Sequence, residues 1–129
     1  MDTRDKIIPL DQVPELVAGL RARNSAVRII TGYFDVLVPE HIRRLREIAD
    51  GDGVILVVIV DPPEPVLPGR ARAELVAALA MVDYVIPAGE QAAQALLRHF
   101  HPAEIVREES ADLLRARRLK EHVRRRNQQ

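Results

Sequence analysis

The 129-residue sequence contains no cysteine, which excludes disulfides, thiolate nucleophiles and Cys-ligated zinc. That absence fits a reducing, cytoplasmic setting. Tryptophan is missing too, and aromatic residues make up only 3% of the chain, too few to build platforms for stacking single-stranded nucleic acid. Nor is there a surplus of charge of either sign. Nineteen Lys and Arg residues against nineteen Asp and Glu leave a formal net charge of zero, so no global field draws the chain to nucleic acid or to an anionic membrane. No apolar run approaches the roughly 18 residues that a membrane span needs, and the N-terminal MDTRDKIIPLDQ lacks the apolar core of a signal peptide. What remains, 47% hydrophobic and 29% charged, is the composition of a soluble globular protein. The length predicts one domain, residues 1–129.

Apolar runs alternate with helical patterns along the chain, the signature of a parallel α/β sheet. LDQVPELVAGLRARN predicts a helix with Val13, Leu16, Val17 and Leu20 on one face, capped by Asp11 and ended by Asn24. AVRIITGYF reads as a strand that stops at Gly32. VPEHIRRLREIADGDG reads as a helix with Pro39 in its first turn, where a missing N–H costs nothing, and Ile42, Leu45, Ile48 and Ala49 as its stripe. VILVVIV, Val54 to Val60, is apolar without alternation and predicts a strand buried on both faces. The proline-rich DPPEPVLPG must be a loop. Then follow a helix in RARAELVAALAMV, a strand in DYVIPAG, a helix in EQAAQALLRHF, a strand in AEIVRE and a last helix in ESADLLRARRLKEHVRRR. The order predicts a three-layer α/β/α sandwich around a parallel sheet of four or five strands. Ligands of such sheets bind at the carboxyl ends of strands where the strand order reverses, which points to the loop after the first strand.

That loop, TGYFDVLVPEH, resembles the G-x-F-D-x-x-H-x-G-H signature of cytidylyltransferase-like nucleotidyltransferases. These include the nucleotidyltransferase domain of bifunctional heptose-phosphate kinase/adenylyltransferases, and glycerol-3-phosphate cytidylyltransferases. VILVVIVD is similar to the family's second strand, ending at Asp61. RAELVAALAMVDYVI, Arg72 to Ile86, resembles its Arg-Ala-Glu helix followed by Val-Asp-Tyr-Val. The resemblance covers residues 6–107 and implies a Rossmann-like fold, a nucleotide partner (CTP or ATP), Mg²⁺ if the protein is active, and a homodimer. On the motif, Gly32, Phe34, Asp35 and His41 match. The resemblance makes His41 the candidate catalytic residue, with Gly32, Tyr33, Phe34, Asp35, Arg72 and Arg107 as candidate nucleotide-binding residues.

The departures lie where the chemistry should be. Val38 stands at the first motif histidine and offers neither donor nor proton. Glu40 stands at the motif glycine, at a helix N-terminus where backbone N–H groups would take phosphates. A carboxylate about 4 Å from a phosphate charge costs on the order of 4 kcal/mol at an effective dielectric near 20. A structural role serves Glu40 as well, since an acid in a first helical turn is stabilised by the dipole. In the late segment EIVREES, Arg107 stands at the family's lysine, Glu108 and Glu109 at its glycines, and the Ser/Thr-rich phosphate loop is missing. Removing one positioned donor typically costs 10²–10³ in rate, so these losses together predict impaired catalysis. If the site is merely inert, Val38→His with Glu40→Gly restores triphosphate binding; if it is filled, the double change does nothing.

The remaining candidates each have a bland reading. His99 and His101 form an HFH pair without a carboxylate at metal-site spacing and read as a solvated helix end. RARRLKEHVRRR holds seven basic residues and one acid. Its Leu113, Ala116, Leu119 and Val123 predict a helix docked on the core with a solvated basic face. Asp35 suits an orienting role at a strand end, and Arg72 either binds a phosphate or pairs with Glu74 or Asp83.

Overall fold

The computed structural model describes residues 2–127. Four strands, β1 (Val27–Gly32), β2 (Val54–Ile59), β3 (Tyr84–Pro87) and β4 (Ile105–Arg107), form one sheet in the order β3-β2-β1-β4. All its pairings are parallel. Each parallel pair needs a crossover; α2 (Pro39–Ile48), α3 (Gly69–Ala77) and α4 (Glu90–Leu97) supply these. Two helices, α1 (Val13–Ala22) and α5 (Glu109–Asn127), flank the series.

Two cores lie on opposite faces of the sheet. Val13, Val17 and Leu20 of α1 pack with Ala93 and Leu97 of α4 on Ile29, Leu56 and Val58. Leu45 and Ile48 of α2 pack with Ala73, Val76 and Ala77 of α3 on Ile30, Val57 and Ile59. Ile55 to Ile59 of β2 are therefore all buried, as the unbroken apolar run predicts. Truncating one of them, such as Leu56, to Ala costs about 2–5 kcal/mol.

Three local expectations need correction. Asp11 caps nothing: it lies in a 3₁₀ turn, Leu10–Gln12, and α1 starts without a side-chain cap. The third helix stops at Ala77 rather than running to Val82, because the chain must turn for Asp83 to accept the Ile55 N–H at 2.8 Å and enter β3. The largest departure is α5. Leu113, Leu119 and Val123 are exposed, so the stripe does not dock on a core whose two faces are already covered. Asn24 does end α1, with φ of 55°.

The first strand connects to β2 on one side and neighbours β4 on the other, so the order reverses between β1 and β4. The loop after Gly32 opens at that point.

Candidate functional site

Gly32 ends β1 against two groups. A Cβ there would meet Asp112 Oδ2 at 2.6 Å and the Phe34 ring at 2.7 Å, so only glycine fits. Past it the chain turns sharply, with Phe34 at φ 50° and its side chain buried. The turn presents two consecutive backbone N–H groups, and Asp112 takes both. Its Oδ2 accepts from Tyr33 at 2.7 Å and from Phe34 at 3.3 Å. Its Oδ1 accepts from Arg115 Nη1 at 2.8 Å and lies 2.9 Å from His41 Nε2. Asp112 thus sits buried among donors, a carboxylate in a cradle of the kind that binds anions.

His41 is held from the other side. Its Nδ1 accepts the Val38 N–H at 2.9 Å, which leaves the Nε2 proton facing Asp112 when the imidazole is neutral. The ring is 3% exposed and lies 5.3 Å from Phe34, centroid to centroid. Despite that 2.9 Å approach to Asp112, His41 Nε2 makes no hydrogen bond, and like Thr31 Oγ1 it is a buried polar atom without a hydrogen-bond partner among the described residues. Burial makes such orphans costly unless another group can reach them.

Charges on α2 and α5 lock this arrangement. Arg44 Nε donates to Glu108 at 2.7 Å, and that hydrogen bond with Glu108 raises the Arg44 pKa against the opposing effect of burial. Glu108 also extends the sheet, its N–H donating to the Thr31 carbonyl, while its own carbonyl starts α5 by accepting from Asp112 N. Glu40 is half exposed and lies 3.8 Å from Arg115 and 4.0 Å from Arg118. It faces the arginines of α5, a role that neither phosphate repulsion nor the helix dipole had suggested.

Arg72, 1% exposed, is spent entirely on the scaffold. Its guanidinium donates to the carbonyls of Leu67, Tyr33 and Val60 and to Asp61 Oδ1 at 2.6 Å. Its acidic partner is Asp61, not Glu74 or Asp83; Glu74 pairs with Arg70. Asp35 accepts from the N–H groups of Val66 and Leu67 at 2.6 and 3.0 Å, so it orients the proline-rich loop. Arg107 is exposed and borders a cavity of about 300 Å³ with Thr31, Tyr33, Glu90, Gln94 and Ser110. The Tyr33 phenol on that cavity is pushed up by burial first, then by Glu109, Glu90 and Asp112.

The geometry therefore gathers Gly32, Tyr33, Phe34 and His41 at one point, sets Arg107 beside it and assigns Asp35 and Arg72 to structure. Sequence reasoning missed Asp112, Arg115 and Arg44. Nothing at their spacing signals a site, because they meet only when α5 folds over the β1 loop. Among the described residues no group of three or more His, Asp or Glu could hold a metal. Asp35, Asp61 and Asp112 each accept hydrogen bonds from N–H groups. His101 caps a turn by accepting from Ala103 N.

No protein-family model matches the chain. Among curated proteins it is similar to the bifunctional protein HldE of Caulobacter sp. strain K31, 36% identical over 112 residues, covering 80% of this chain and 23% of that protein. HldE of Vibrio parahaemolyticus is 32% identical over 115 residues, covering 82% of this chain and 24% of that protein. HldE of Caulobacter vibrioides is 32% identical over 111 residues, covering 79% and 23%. The chain spans about a quarter of the length of the curated relatives it matches. With these relatives, a parallel α/β fold and the GYFD loop at its switch point, the chain belongs to the cytidylyltransferase-like nucleotidyltransferases.

Proposed function

We propose that this is a degenerate nucleotidyltransferase domain, spanning residues 1–129, that is catalytically impaired and serves as a weak nucleotide binder or as an assembly module. One observation carries the reading: the Asp112 carboxylate sits on the Tyr33 and Phe34 N–H groups and against His41 Nε2. A phosphate aimed at the same donors meets a buried negative charge that already uses them. Val38 in place of the motif histidine removes a donor and Glu40 in place of the motif glycine adds a carboxylate, whereas Asp112 adds an occupant. This supports the filled rather than the merely inert version of the site, in which Val38→His with Glu40→Gly changes nothing on its own.

A second reading has its own support. The cavity beside the loop keeps Arg107, Tyr33, Thr31 and Ser110 around about 300 Å³, room for part of a nucleotide. In that reading the domain transfers a nucleotidyl group from CTP or ATP to a sugar-phosphate or alcohol-phosphate, with Mg²⁺ arriving on the triphosphate. His41 Nε2 then stabilises the reacting phosphate once Asp112 has withdrawn. Pairing into a homodimer follows the family resemblance in either case.

Pyrophosphate release from CTP and ATP, with Mg²⁺ and a panel of sugar-phosphates and alcohol-phosphates, separates the two. The impaired reading expects no release above a heat-treated control. Release that depends on an acceptor and is lost in His41→Ala establishes the enzyme.

A further inference from the structure

The outer part of α5 is a surface that the site leaves unexplained. From Ala116 to Asn127 it carries six basic residues, Arg117, Arg118, Lys120, Arg124, Arg125 and Arg126, against Glu121 alone, a formal charge of +5. Because the whole chain is neutral, the remainder carries −5. The chain is therefore a strong electrostatic dipole: an acidic body with one cationic arm. Every residue from Arg117 to Asn127 is exposed, including Leu119 at 40% and Val123 at 48%. Those two lie four residues apart and share a face with Ala116 and Asp112. At 1.5 Å per residue the arm is about 18 Å long.

Three occupants fit this arm poorly. A second α5 would bring two like-charged arms together. A membrane would receive only one alanine, one leucine and one valine, too little apolar surface to anchor a helix, with the acidic body repelled by anionic lipid. A nucleic acid would leave the apolar stripe unused and would also face the acidic body. The fitting partner is a cleft with an apolar floor and a carboxylate rim.

The body has such a cleft at the opposite end of the sheet from the candidate site. It measures about 310 Å³, with Val27, Ile48, Ala49 and Ile55 on its floor and Asp50, Asp52 and Glu104 around its edge. Arg28 also borders it, with its guanidinium directed at the Ile48 carbonyl at 3.3 Å. Asp50 and Asp52 are exposed and in no salt bridge among the described residues, whereas Glu104 already lies 3.6 Å from Arg21 and accepts the His101 N–H at 2.8 Å.

We propose that the arm, Ala116–Asn127, docks in the Asp50/Asp52/Glu104 cleft of a second copy of this chain, with Leu119 and Val123 on its floor and the arginines on its rim. This deepens the assembly half of the function proposed above and does not depend on nucleotide. Helix-in-groove recognition with charged flanks has this form, and a contact held by rim charges weakens as salt screens it.

Sedimentation velocity of the full chain without nucleotide tests it. At about 20 mM salt the chain sediments as a dimer or larger species, and at about 500 mM salt as a monomer, because the Debye length shrinks several-fold over that range. Leu119→Asp with Val123→Asp, both on exposed positions, abolishes the association, as does Asp50→Arg with Asp52→Arg. Adding Arg124→Glu and Arg125→Glu to the cleft variant restores it. A monomer at low salt overturns the proposal, and so does association that survives both pairs of changes. A monomeric chain that retards an RNA or DNA duplex assigns the arm to a phosphate backbone instead. Either failure leaves the Asp112 site untouched, so the two readings fall separately.

Discussion

Two buried charges grip the same residue, Tyr33, from opposite sides. Arg72 donates to the Tyr33 carbonyl, and Asp112 accepts from the Tyr33 N–H. Both side chains are almost wholly buried, at 1% and 2% exposure, yet their partners differ in kind. Arg72 finds three backbone carbonyls and Asp61, groups that only the fold supplies and that no anionic ligand could replace. Asp112 finds two N–H groups, an imidazole and an arginine, which are the groups an oxyanion would seek. A buried charge with scaffold partners is a structural rivet. A buried charge with ligand-type partners stands where a ligand would be.

The comparison can be broken at its strongest point first. Removing Arg72 as Arg72→Met orphans the Tyr33, Val60 and Leu67 carbonyls and frees the loop after β2, a loss of about 3–5 kcal/mol in urea unfolding. If that variant keeps its stability, Arg72 is not a rivet and its phosphate role returns. Asp112→Ala leaves the Tyr33 and Phe34 N–H groups without an acceptor but removes a buried charge, so its net cost is smaller, about 1–3 kcal/mol. Equal losses for the two variants would erase the distinction drawn here.

Smaller effects sharpen it further. Arg44 secures Glu108 at the start of α5, but its side chain is 41% exposed, so Arg44→Ala costs only about 0.2–1 kcal/mol. It should loosen α5 ahead of the sheet, seen as faster hydrogen exchange at Asp112 N and Glu108 N than at β2. The weakest effect concerns pH. Burial, with Glu109, Glu90 and Asp112, raises the Tyr33 phenol pKa, so the folded chain holds that proton more tightly than the unfolded one. The associated stability is complete below the unfolded phenol's ordinary value near 10 and is lost as pH rises through the folded value. Tyr33→Phe should flatten that alkaline decline in unfolding stability, and an unchanged profile would remove Tyr33 as its source.

Periodicity alone located the strands and most helices, because β2 and the stripes of α1 and α2 are local patterns that their burial enforces. The GYFD loop was legible through its family resemblance, and its place after the first strand through the α/β alternation. What the pattern misjudged was α5. Its Leu113, Leu119 and Val123 have helical spacing, but spacing does not reveal whether a core face remains to receive them, and both faces were taken by α1 to α4. The site failed at the same place. Val38 and Glu40 could be read as losses against a motif, whereas Asp112, 79 residues from Tyr33 along the chain, belongs to the site only through tertiary geometry. Glu40 was read through its own helix, and its arginine neighbours on α5 were invisible for the same reason.

Calorimetric titration of the native chain and of Asp112→Ala with CTP and ATP, each with Mg²⁺, tests the occupied cradle most directly. The native chain is expected to give at most weak heat at millimolar nucleotide, and clearly tighter binding once the carboxylate is gone, strengthened when Val38→His and Glu40→Gly are added. Micromolar binding by the native chain, unchanged in Asp112→Ala, would contradict it.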